Sequence, residues 1–177
     1  MTFDVCDDFN EMRNLPIRLL LCGLILAVAT AVNAETIVGH VVGVADGDTI
    51  TVLDAQKVQH KIRLAGIDAP EKAQAFGNRS KESLSELAFG KDVSVETEKL
   101  DRYGRSVGKV LVNGHDVNLV QVERGMAWFY RQYQREQSPE DRKLYDAAEA
   151  VAKVEKRGLW RDADPMPPWD YRHRKRQ

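Results

Sequence analysis

Acidic and guanidinium side chains recur at the edges of β-type segments in three places: Asp46-Gly47-Asp48-Thr49, Asp68-Ala69-Pro70-Glu71 and Asp101-Arg102-Tyr103-Gly104-Arg105. Arg63 stands alone, five residues ahead of the second. Carboxylates of this kind can hold a hard cation through oxygen, and an additional carboxylate can take a proton from water. Two arginines can clamp a phosphoryl group, because a guanidinium fork donates two bonds in fixed geometry where an ammonium is only a point charge. Combined, these parts suit hydrolysis of a phosphodiester.

Each motif also has a plain structural explanation. Asp46-Gly47 is a common turn pair, Asp68-Ala69-Pro70 could be a strand exit with a capped turn, and Asp101 to Arg105 could be a charged hairpin loop with Gly104 at a positive-φ position. The chemical reading draws its strength from all the parts occurring together and in one order. Little else in the chain looks catalytic. His40, His60, His115 and His173 are scattered without metal-ligand spacing, and neither a Gly-rich phosphate loop nor a nucleophile elbow is present.

The elements that must position these residues come next. Residues 36–45, 49–53, 58–64, 93–97 and 106–112 are rich in Val and Ile or alternate apolar with polar, which predicts five strands. A turn at Asp54-Ala55-Gln56-Lys57 joins the second and third strands. Keeping Ile50 and Val52 on the face of Ile62 and Leu64 then sets Ile50 opposite Ile62 and Thr49 opposite Arg63. Arg63 falls diagonally beside Asp48, within its reach.

Helices are predicted over residues 77–89, with Leu84, Leu87 and Ala88 as the apolar stripe, and over about 118–124. A third starts at Ser138-Pro139-Glu140-Asp141 and ends near Gly158, with Leu144, Ala147, Ala148, Val151 and Val154 as its stripe. Five strands with one helix inserted after the third predict an α+β chain: a five-stranded OB-fold barrel with about three helices.

The first 34 residues differ in kind. Leu19 to Val32 is an uncharged apolar run, too short to span a bilayer, and Val32-Asn33-Ala34 fits a signal-peptidase site. Residues 1–34 are therefore expected to be a cleaved export signal, with translation starting at Met12 because the acids Asp4, Asp7, Asp8 and Glu11 precede it. The expected location is secreted or periplasmic, without stable membrane association after cleavage. Cys6 and Cys22, the only two cysteines, fall in this segment, so the remainder must be held by an apolar core. Of 26 Lys+Arg and 27 Asp+Glu, two and four lie there, so the remainder is close to neutral and net charge does not announce a nucleic-acid binder. Residues 35–161 are expected to form one domain, and residues 162–177, with Arg172, Arg174, Lys175 and Arg176, a flexible basic tail. Sequence-independent contact of Trp169, Tyr171 and these arginines with nucleic acid is the alternative for the tail.

The run Ala45 to Thr49, then Arg63-Leu64-Ala65-Gly66-Ile67-Asp68-Ala69-Pro70-Glu71, then Asp101 to Arg105 closely resembles the staphylococcal (micrococcal) nuclease family, from about Ile37 to Trp160. The resemblance implies an endonuclease that cleaves DNA and RNA with little sequence specificity and leaves 3′-phosphate ends. It implies that Asp48 and Asp68 are carboxylate ligands of Ca²⁺ and that Ala69 supplies a main-chain carbonyl to the same ion. Ala69 departs from the threonine of the best-known member, a change that a main-chain ligand tolerates. By the same resemblance Glu71 is the general base, Arg63 and Arg105 clamp the phosphate, and Tyr103 lies near a terminal phosphate. Trp128 to Arg131 and Tyr133 fall where the family stacks a base, with core packing equally open for Trp128 and Phe129. A monomer is expected. Two rivals stand beside this reading: a catalytically inactive nuclease-like module that binds nucleic acid or a protein partner, and an oligosaccharide-binding module. The first is expected to lose the acidic and arginine positions, and the second does not need them.

Overall fold

Strand alternation and two irregularities in long strands shape the first half of the molecule. The computed structural model describes residues 35–175. Its strands and helices run, in chain order, β1 (Glu35–Val44), β2 (Thr49–Asp54), β3 (Gln59–Leu64), β4 (Ile67–Asp68), α1 (Gly77–Ala88), β5 (Asp92–Leu100), β6 (Ser106–Val112), β7 (His115–Asp116), α2 (Val117–Glu123), β8 (Trp128–Phe129), α3 (Pro139–Val154) and α4 (Pro168–Arg174). Short 3₁₀ turns at Arg131–Glu136 and Gly158–Arg161 flank α3.

The sheet order is β3-β2-β1-β5-β6, and a parallel pairing of β3 with β6 closes the ring. The result is a closed five-stranded OB-fold barrel in an α+β chain, as expected. Register shifts between Val41 and Gly43 and between Thr97 and Lys99 let β1 and β5 bend far enough to serve two sides of so small a barrel. Val41, Ile50, Val52, Ile62, Leu64, Val95 and Val110 fill it, each almost wholly buried.

The hairpin register follows the parity of the apolar positions. Thr49 pairs with Arg63 and Ile50 with Ile62, and the amide of Leu64 donates to the Asp48 carbonyl at 2.8 Å. In α1, Leu84 and Ala88 are buried and Leu87 packs against them, as the stripe predicts. Asp116 caps α2 by accepting from the Leu119 amide, and Ser138 caps α3 by accepting from that of Asp141.

Two expectations are corrected. The buried face of α3 is Tyr145, Ala148, Glu149 and Ala152, whereas Leu144, Val151 and Val154 are exposed. The helix is turned because polar pairing outweighs aliphatic burial: Tyr145 donates its hydroxyl to Asp116, and Glu149 accepts from the Phe129 amide, Arg131 and Lys153. The segment expected as a flexible tail contains α4, with Pro168 in its first turn, and it is the fourth α-helix among the described residues. Trp169 of α4 stacks on Tyr130, rings 5.2 Å apart and 9° from parallel, and meets Trp128 edge-on. The expected export signal lies outside the described residues. No helix among those described is long and apolar enough to cross a membrane.

Candidate active site

The three motifs, far apart in sequence, meet at one end of the barrel. They line a cleft of about 650 Å³ together with Arg63, Lys99, Tyr130, Tyr133 and Arg172. Asp48, Asp68, Ala69, Glu71, Tyr103 and Arg105, each expected at the site, all contribute to its walls.

Asp48 leaves the barrel at the start of β2, where its carboxylate is buried. The Ala69 amide donates to Oδ2 at 2.7 Å and the Thr49 hydroxyl to Oδ1 at 3.2 Å, so the first motif is tied directly to the second. Gly47 permits this approach through its size. A Cβ there would lie 1.8 Å from Ser80 Oγ on α1 and 2.8 Å from the Ala69 side chain. Asp68, on β4, is 1 % exposed. A single nitrogen of Arg63, Nη2, reaches both acids, at 2.8 Å to Asp68 Oδ1 and 3.1 Å to Asp48 Oδ2. Its Nη1 is held by the Leu64 carbonyl at 2.9 Å. Burial nevertheless pushes the Asp48 carboxyl up to about 7, against the pull of Arg63 and with Asp46 and Asp68 adding repulsion.

The third motif forms a self-braced loop. One oxygen of Asp101 accepts from the amides of Tyr103 and Arg105, and the other from Arg105 Nε at 2.7 Å. These bonds outweigh a desolvation effect in the opposite direction and hold the Asp101 carboxyl below the usual range. Gly104 takes φ 75°, the left-handed conformation that the turn requires. Arg105 is thereby aimed across the cleft, where Nη1 donates to Thr49 Oγ1 at 3.3 Å. Thr49 thus links Arg105 to Asp48, a role not anticipated from its position in a strand. Tyr103 is mostly exposed at the rim, with the Arg102 and Arg105 guanidinium groups 4.8 and 5.6 Å from its ring centre.

Glu71 stands at the mouth of the cleft with its side chain 41 % exposed. Its carboxylate accepts from Arg172 at 2.9 Å. Arg172 also donates to both oxygens of Asp68, at 3.2 and 2.7 Å. Nothing in the sequence spacing assigned Arg172 to this site; the only signal was its place in an aromatic and basic run at the end of the chain. Among residues 128–133, Tyr130 and Tyr133 line the cleft, Phe129 is core and Trp128 packs edge-on against Trp160. Among the described residues, no three His, Cys, Asp or Glu side chains gather as a closed metal cage. The arrangement offers instead two buried carboxylates, a third at the rim, and guanidinium groups on either side.

Comparison with known proteins gives a consistent result. The family model described as Staphylococcal nuclease homologue matches residues 61–162. An Escherichia coli O157:H7 protein named as an uncharacterized endonuclease is 46% identical over 138 residues, covering 77% of this chain and 86% of its own. A Haemophilus influenzae protein with the same name is 38% identical over 93% of this chain and 89% of its own. A Shigella flexneri protein named micrococcal nuclease is 37% identical over 88% and 91%.

Proposed function

The chain belongs to the staphylococcal nuclease family, and on that premise we propose that it is an exported, Ca²⁺-dependent endonuclease acting on DNA and RNA with little sequence preference. Endonuclease activity follows from the family. We infer the calcium requirement, the 3′-phosphate products, the roles of individual residues and the export. The observation that carries it is the convergence of Asp48, Asp68, Glu71, Arg63 and Arg105 on one cleft. A module that only binds nucleic acid would have no use for that set, and the inactive alternative is not favoured.

The residues present suit a hard cation. Asp48 and Asp68 offer only oxygen, both are buried, and both lie within reach of the same Arg63 nitrogen, so they can face one ion. Asp48, Asp68 and the main-chain carbonyl of Ala69 would hold the ion, with positions left open for solvent and substrate. When bound, the ion supplies Lewis-acid polarisation of a phosphoryl oxygen.

The chain's own groups do the rest. Arg63 and Arg105 donate to the non-bridging oxygens of the phosphate and stabilise the charge that builds as water adds. Arg63 is fixed by Leu64 and Arg105 by Asp101, so little reorganisation is needed at the moment of reaction. Glu71, at the solvent-facing mouth, takes the proton of the attacking water. The phosphorus–O5′ bond then breaks, O5′ takes a proton from solvent and leaves as a 5′-hydroxyl, and the phosphate stays on the 3′ side. Tyr103, next to Arg105 at the rim, contacts a terminal phosphate.

Purified protein incubated with plasmid DNA tests the reading. Cleavage should appear with Ca²⁺ and stop with excess chelator, and fragments should carry 3′-phosphates that block polymerase extension until a phosphatase removes them. Chelator-insensitive cleavage would reject the cation's role.

A further inference from the structure

Arg172 occupies a place that the proposed chemistry requires for something else. Asp68 is almost completely buried, and its two oxygens already accept three guanidinium bonds: one from Arg63 and two from Arg172. The same Arg172 nitrogen that donates to Asp68 Oδ1 also donates to Glu71 Oε1. A divalent ion approaching Asp68 and a water approaching Glu71 would both meet this guanidinium. One arginine must give way.

Which arginine yields follows from how each is held. Arg63 is on the barrel strand β3, pinned to Leu64, Asp48 and Asp68, with its side chain 14 % exposed. Arg172 is 35 % exposed on a seven-residue helix, and that helix is reached through Asp164-Pro165-Met166-Pro167. Apart from Arg172 itself, this region is attached to the body by the buried Pro168, by Gln74 donating to the Met166 carbonyl, by the Tyr171 hydroxyl donating to the Ala73 carbonyl at 3.2 Å, and by Trp169 against Tyr130 and Trp128. A short helix held by side-chain contacts opens at far lower cost than a barrel strand.

We propose that Arg172 is an internal counter-cation: it holds the Asp68 and Glu71 carboxylates in place before the metal ion arrives, and ion binding expels it. The inference rests on the reading of this cleft as a cation-dependent nuclease site. Arg172 is a positioning residue in this scheme, and it sets how much free ion is needed to assemble the site. Because binding must displace a bonded guanidinium, the apparent ion affinity is lowered by the stability of the Arg172 contacts.

Calorimetric titration of the full-length protein with Ca²⁺, without substrate, tests this directly. Arg172→Gln should bind Ca²⁺ roughly tenfold more tightly than the parent. Arg174→Gln, which removes the same charge from the same helix but none of these contacts, should bind like the parent. Equal affinity in the parent and Arg172→Gln would overturn the proposal while leaving the nuclease reading intact, and weaker binding would show that Arg172 assists the ion. Absence of Ca²⁺ binding in both, with DNA cleavage unaffected by chelator, would sink the calcium reading and this proposal together. A second measurement needs no substitution: in ¹⁵N-labelled parent protein, the Arg172 guanidinium resonances should move towards those of a free side chain at saturating Ca²⁺, and unchanged resonances would overturn the displacement.

Discussion

Gln121 on α2 donates through Nε2 to the main-chain carbonyl of Gly47, 74 residues away, at 2.9 Å. The same nitrogen reaches the Ser80 carbonyl, and the Gln121 carbonyl oxygen accepts from the Ser83 hydroxyl at 2.6 Å. A wholly buried amide therefore fixes the loop that delivers Asp48 to the cleft, against both α1 and α2. Gln121→Leu would strip the Gly47 carbonyl of its partner and take one bond each from the Ser80 carbonyl and the Ser83 hydroxyl, which keeps only its contact with Arg124. It should lower stability by about 1–3 kcal/mol and reduce cleavage beyond what the unfolded fraction explains. Urea unfolding and turnover on the same preparation check this; an unchanged midpoint would mean that the loop does not depend on Gln121.

The two arginines proposed to clamp the phosphate should fail differently. Arg105 is braced by Asp101 on an exposed loop, so Arg105→Lys should leave the melting temperature in place while turnover falls by on the order of 10²–10³, the scale of losing one preorganised donor. Arg63 also neutralises two buried carboxylates, and Arg63→Gln should in addition cost about 3 kcal/mol of stability. Thermal melts and steady-state rates separate the two. Near-parental turnover in Arg105→Lys would count against bidentate clamping.

Glu71 is half-exposed and bears no structural burden beyond its contact with Arg172. Glu71→Gln should keep the melting temperature and lower the cleavage rate on the order of 10²–10⁴-fold, the range for a lost general base. A variant as active as its parent would remove Glu71 from the mechanism.

Asp116 supplies a pH-dependent test away from the cleft. Burial raises its carboxyl above the ordinary 3.8, outweighing the bonds from Leu119 and Tyr145. The folded protein thus keeps a proton that the unfolded chain releases. That contribution to stability is full below about 3.8 and is lost as pH rises through the raised value. Asp116→Asn cannot ionise, so its stability deficit relative to the parent should be largest near pH 4 and shrink towards neutrality. Urea midpoints measured across that range check it, and a deficit that widened with pH would reverse the assignment.

Much of the site was legible in the chain because it depends on short-range rules. The alternation that places Ile50 opposite Ile62 also places Thr49 opposite Arg63, and from there the contact of Arg63 with Asp48 follows. The Asp101 to Arg105 loop declares itself through local bonds and a glycine at positive φ. Residues whose burial comes from polar pairing were not legible: Glu149 and Tyr145 carry the inner face of α3, which apolar spacing assigned to Leu144 and Val151.

By itself, the sequence determined the barrel strands, their hairpin register and the identity of the acids and arginines, since these follow from side-chain alternation and residue chemistry within a few positions. Only the tertiary structure decided that Asp68 and Glu71 share a guanidinium from Arg172, 104 and 101 positions away. Contacts at that separation are set by which surfaces remain to be covered after the barrel closes. Here an aromatic stack of Trp169 on Tyr130 brings the last helix over the cleft, and no local pattern encodes that docking.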